Sequence, residues 1–176
     1  DKNVLFIYFS LEMNESTLLA KILSLYLYET YGIELSYMDL MSVRTPMLDE
    51  DYEKVLEAKQ WLSSISKKFI IYDKQLSADG FYAEMKKILK QHGSFVSSED
   101  GNRMTYIQND STLIINVVLD HLGLIHSVKG RDKKQEIDLC SQYCVWFRET
   151  CKVSFDVIMQ ENRNAGNIDR QKMNMS

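Results

Sequence analysis

The stretch Val4-Leu5-Phe6-Ile7-Tyr8-Phe9-Ser10-Leu11-Glu12-Met13, VLFIYFSLEM, decides the fold. Its opening apolar run, Val4 to Phe9, is short and rich in β-branched and aromatic side chains, and reads as a strand buried on both faces. The stretch then meets a carboxylate, Glu12. Such an acid has two uses. It begins a surface turn into the helix that Asn14 can cap, or it stands as a general base at the end of a buried strand.

Outward from this stretch, apolar runs alternate with amphipathic segments. A helix from Asn14 to about Tyr31 has an apolar face of Leu18, Leu19, Ile22, Leu23 and Tyr26 and stops at Gly32. A connector over 33–48 holds the lone Pro46, and Asp49-Glu50-Asp51 supplies the negative charge that favours a helix start. Phe69 to Tyr72 is a second strand, followed by Asp73, and Ser77 caps a third helix that ends at Gly93. Asp100-Gly101, flanked by Phe95–Ser98 and Met104–Ile107, predicts an inserted β-hairpin over about 95–107. A third strand over 112–119 closes on Asp120. A basic loop over about 127–134 and a helix over 136–151 follow, then a strand over 153–159 that closes on Gln160. The tail, 161–176, is polar without apolar periodicity.

Strands separated by helices imply parallel β/α units, with a sheet covered on both faces and a ligand site at the carboxyl ends of the strands. Glu12, Asp120 and Gln160 collect at that edge.

The bulk composition agrees with one globular domain: 176 residues, 45% hydrophobic, 26% charged, one proline and seven glycines. No apolar run approaches the roughly 20 residues that span a bilayer, and no signal peptide precedes the first strand. A cytoplasmic protein without a membrane partner is expected. The chain opens on Asp1 and runs directly into a strand, so a fragment or processed chain is expected. A net charge of −4 does not announce nucleic acid, but basic residues gather at Lys129, Arg131, Lys133 and Lys134, and again at Arg163, Arg170 and Lys172. Cys140, Cys144 and Cys151 share a helical stripe with Ile137 and Phe147, which favours small core residues of a reduced protein over a zinc set.

An apolar strand ending in aspartate, here Asp120, is the Walker B pattern, in which a rigid strand offers an oxygen to a hard divalent cation. Strand-end acids also serve turns and caps. Gln160 is either a hydrogen-bonding partner of a γ-phosphate or a polar strand end. Neither His121 nor His126 belongs to a recognisable ligand set.

Together these residues resemble the DnaB-like replicative DNA helicases, whose motor has the RecA-type P-loop ATPase fold. FSLEM with its following helix resembles the motif that carries the catalytic glutamate. Gly32–Ser36 and Leu48–Glu53 resemble the connector and next helix of that domain. Val117–Ile125 resembles the Walker B segment, and Ile158–Asn164 the motif with the sensor glutamine and the start of a DNA-binding loop. The hairpin insertion and DHLGL point to a bacteriophage-type member. The resemblance implies an α/β RecA-like core that hydrolyses ATP with Mg²⁺ and translocates on single-stranded DNA as a homo-hexamer, with a helicase loader or primase as further partners. It implies that Glu12 activates water, Asp120 helps hold Mg²⁺ and Gln160 senses the γ-phosphate. Asn162 and Arg163 would lie in or near a channel loop that contacts DNA, with Lys129 and Arg131 as a second contact. Gly123 stands where many relatives have glutamine.

The phosphate cradle of such ATPases, G-x-x-x-x-G-K-[ST], is absent from the 176 residues, and no glycine precedes Gly32. The chain by itself is therefore expected to bind ATP weakly and not to turn it over. The cradle strand is expected between the Asp120 and Gln160 strands, so that its loss leaves a gap or makes those two pair directly, and the exposed edges invite association. A non-catalytic RecA-like adaptor that binds protein or DNA is the alternative, and a recombinase- or clock-type RecA relative a third reading.

Overall fold

The computed structural model describes residues 3–41, 47–99, 101 and 103–160. Strand β1 (Val4–Ser10) leads through a bend at 11–13 into helix α1 (Glu15–Tyr31). The Asn14 side chain accepts the Thr17 amide, and Gly32, at φ 70°, ends the helix by donating to the Tyr28 carbonyl. A short helix α2 (Tyr37–Met41) lies in the connector, where Ser36 and Asp39 bond each other. Helix α3 (Asp49–Ile65) carries its three acids in the first turn, although Leu48 at its N-cap offers no capping side chain.

Next come β2 (Phe69–Tyr72) and α4 (Ala78–His92), the latter capped by Ser77. The hairpin is β3 (Gly93–Ser97) against β4 (Met104–Gln108), and it grows directly out of α4. Strand β5 (Ile114–Asp120), helix α5 (Lys133–Cys151) and strand β6 (Ser154–Val157) complete the described chain. Helix α5 begins earlier than apolar periodicity alone indicates. Asp132 and Gln135 form a reciprocal capping box, so Lys133 and Lys134 belong to its first turn and not to a loop.

The main sheet has four strands in the order β2-β1-β5-β6, all parallel. Strands β5 and β6 pair directly, Val117 opposite Phe155 and Leu119 opposite Val157. Among the described residues no strand separates them, which is one of the two arrangements expected where the cradle strand is missing. Leu5, Ile7 and Phe9 alternate with Ile115, Val117 and Leu119 on one buried face, packed against Phe81, Met85 and Leu89 of α4 and Cys140, Cys144 and Phe147 of α5. The Phe9 and Phe81 rings meet edge-on at 5.0 Å.

The expected double-sided burial of β1 does not hold. Phe6 is 41% exposed, and Val4 and Tyr8 are only half-buried. The reason is how the helices pack. Helices α4 and α5 cover one face, whereas α1, α2 and α3 pack chiefly on one another, with the Tyr26 and Trp61 rings stacked at 4.0 Å. All three cysteines are buried as free thiols within the core.

Candidate functional site

Parallel register brings the strand-end residues to one edge. Ser10 stands opposite Asp120, and Leu119 opposite Val157, so the carboxyl ends of β1, β5 and β6 lie side by side. Beyond β1, Ser10 is buried and its hydroxyl donates to the Met13 carbonyl at 2.6 Å, folding the chain over the strand end and presenting Glu12 to solvent. The Leu11 amide donates to the Asp120 carbonyl at 2.6 Å. Past β6, the Ile158 amide donates to the Leu119 carbonyl and the Leu122 amide to the Ile158 carbonyl, each at 3.0 Å. Those two bonds hold the segment that carries exposed Gln160 against the end of β5. The Asp120–His121 peptide is cis.

Not every strand-end acid is available. Asp73, after β2, accepts the Glu15 amide at 2.9 Å and so serves the N-terminus of α1. Asp120 is half-buried, and its Oδ2 accepts the Tyr8 hydroxyl at 2.7 Å. Its Oδ1 accepts no hydrogen bond among the described residues. Burial, followed by the bond to Asp120 and the nearby charges of Asp120 and Glu12, pushes the Tyr8 phenol well above its usual range. Tyr8 therefore stays a neutral donor at physiological pH.

Tyr8 is the residue that sequence reading did not single out. The sequence shows only a tyrosine within an apolar strand; the register of β1 on β5 is what puts it on the same face as Asp120.

The donor set suits a hard cation of the magnesium kind. Among the described residues, no group of three or more His, Cys, Asp or Glu gathers to hold a metal. Mg²⁺ seldom needs one, because it takes one or two carboxylates, keeps waters and uses substrate phosphates for the rest. Asp120, with one oxygen fixed and the other free, meets that requirement.

The basic candidates divide. Lys129 is exposed. Arg131 is engaged: its guanidinium pairs with Asp79 and, through Nε at 2.7 Å, with Oε1 of fully buried Glu136. Oε2 of Glu136 accepts the Ala78 amide at 2.8 Å, and Asp79 also accepts the Tyr143 hydroxyl at 2.8 Å. These bonds tie the loop before α5 to the start of α4. They hold the Asp79 carboxyl below its usual range, chiefly through Arg131. Lys133 turns its ammonium to the Ile125 carbonyl. Asn162 and Arg163 lie outside the described residues, as does the polar tail over 161–176. Gly123 has a local reason: a Cβ there would come within 2.9 Å of His121 Nδ1, so the imidazole fills the space a side chain would need.

A parallel α/β sheet carries a carboxylate, a hydroxyl-held aspartate and a glutamine along its carboxyl edge, the edge at which such sheets bind ligands. No family model matches the chain. No curated protein matches it. Among solved structures it is similar to that of a DnaB-like replicative helicase described with its interactions with primase, at a TM-score of 0.61 and 15% identity. The match covers 93% of this chain and 33% of the helicase chain, so the chain spans about a third of that protein's length. The chain shares the fold of that part of the helicase chain. Among its described residues, no helix is long and apolar enough to cross a membrane.

Proposed function

We propose that this chain forms part of the ATP-hydrolysing motor of a replicative DNA helicase. The observation that carries the reading is the register of β1, β5 and β6, which lines up the segments bearing Glu12, Asp120 and Gln160 on one sheet edge. In this reading Asp120 offers its free carboxylate oxygen to Mg²⁺. The ion, when bound, would neutralise charge on the phosphates. Exposed Glu12 accepts a proton from the attacking water, a contribution of roughly 10²- to 10⁴-fold. Gln160 donates a hydrogen bond to the terminal phosphate. The donors that cradle the phosphates would come from a further β/α unit, its strand entering between β5 and β6. The motor works as a homo-hexamer on single-stranded DNA, with Asn162, Arg163 and Lys129 as phosphate contacts and a loader or primase as partner. Arg131 acts mainly inside the protein.

The test is ATP turnover of the intact protein with and without single-stranded DNA. Turnover that rises with DNA, with an affinity that falls steeply with salt, supports the reading. An intact protein that neither binds nor hydrolyses ATP contradicts it. A second reading is non-catalytic. A RecA-like adaptor would then use the same edge to bind protein or DNA, and DNA binding indifferent to ATP would favour it.

A further inference from the structure

We infer that Tyr8 is a positioning residue for the divalent ion, its hydroxyl holding one oxygen of Asp120 so that the other is presented in a fixed direction. The inference rests on Asp120 being a Mg²⁺ ligand.

Tyr8 and Asp120 project from the same face of adjacent parallel strands. Tyr8 stands opposite Val118 and Asp120 opposite Ser10, so the two are diagonal neighbours within reach of a long side chain. The hydroxyl closes that diagonal with a 2.7 Å hydrogen bond to Oδ2. Both ends of the arrangement are anchored. The Tyr8 ring lies edge-on to Phe69 of β2, centroids 6.4 Å apart at 63°. The Asp120 carbonyl is taken by the Leu11 amide at 2.6 Å. Three neighbouring strands thus fix a single carboxylate.

A carboxylate rotates broadly about its last torsion. A donor on one oxygen removes that freedom and leaves the second oxygen aimed, which is how outer-shell partners tune metal ligands. Packing alone does not need the hydroxyl. Phenylalanine would fill the same space against Phe69, and the sequence already places Phe6 and Phe9 on this strand.

The experiment measures Mn²⁺ affinity by electron paramagnetic resonance on the intact protein with a non-hydrolysable ATP analogue. Wild type is compared with Tyr8→Phe and Asp120→Ala, and each is also melted without metal. Tyr8→Phe is expected to weaken Mn²⁺ binding by roughly 10- to 100-fold, while metal-free melting and analogue affinity without metal stay as in wild type. Tyr8→Phe with wild-type Mn²⁺ affinity, beside an Asp120→Ala that loses it, overturns this inference and leaves the reading of Asp120 intact. Mn²⁺ affinity that Asp120→Ala does not change, or that wild type lacks, overturns both.

Discussion

Replacing Glu136 by alanine tests how the loop before α5 is fastened to the rest of the fold. Glu136 is fully buried, yet its two oxygens are used differently. Oε2 accepts the amide of buried Ala78, the first residue of α4, at 2.8 Å, and Oε1 pairs with Arg131 at 2.7 Å. Alanine strips the Ala78 amide of its acceptor, and an unpaired buried donor costs about 1–3 kcal/mol. It also empties space in a packed region, where lost side-chain volume adds a comparable amount. The total expected is about 3 kcal/mol. Glutamine keeps both an acceptor and the volume and loses only the charge, so about 1 kcal/mol is expected, the difference between a charged and a neutral hydrogen bond. Urea unfolding reads both, because at a slope of about 2 kcal/mol per molar the alanine midpoint falls by roughly 1.5 M and the glutamine midpoint by roughly 0.5 M. If the two variants lose the same amount, the ion pair and not the amide bond dominates. If alanine costs less than about 0.5 kcal/mol, the range of a surface substitution, Glu136 does not fasten this loop to α4.

Gly93→Ala places a Cβ 2.4 Å from the Ile107 carbonyl oxygen and 2.5 Å from the Tyr106 ring. Neither neighbour can yield cheaply, so a loss of about 1–3 kcal/mol is expected by urea unfolding, and an unchanged midpoint would refute the close approach. Tyr106 donates to the Leu89 carbonyl at 2.8 Å, and burial pushes its phenol up to about 12. Its folded value exceeds the unfolded one of about 10, so its stabilisation is complete below pH of about 10 and is lost as pH rises through about 12. Ultraviolet titration should show a tyrosine ionising that late, and Tyr106→Phe should flatten the alkaline loss of stability. Asp79 runs the other way. Its folded value is depressed by Arg131, so its share is complete above the usual carboxylate range and is lost as pH falls through the lowered value. The acid limb should shallow in Asp79→Asn, and an identical limb in that variant would refute the assignment.

The order of elements was legible because period and punctuation agreed. Asn14 and Gly32 bound α1 in the sequence as they do in the structure, and the apolar runs fell where the strands are. The start of α5 was hidden by its charges. A Lys-Lys-Gln-Glu run looks like a loop until Asp132 and Gln135 are recognised as a reciprocal cap. Burial of β1 was legible on one face only. Sequence shows that both faces are apolar, but which helices cover them depends on packing between distant segments. The same limit applied to the site. Glu12, Asp120 and Gln160 could be placed at strand ends from the chain alone. The Tyr8–Asp120 bond needed the register of β1 on β5. Arg131, read as a DNA-contact candidate in a basic loop, is held by Asp79 and Glu136 through contacts that local sequence does not reveal.

Glu12, just beyond the end of β1, is the proposed base of an ATPase site. The most direct measurement is ATP hydrolysis by the intact protein carrying Glu12→Gln, with nucleotide binding followed in parallel. Turnover is expected to fall by at least about 10²-fold with ATP affinity retained. Wild-type turnover in that variant would contradict it.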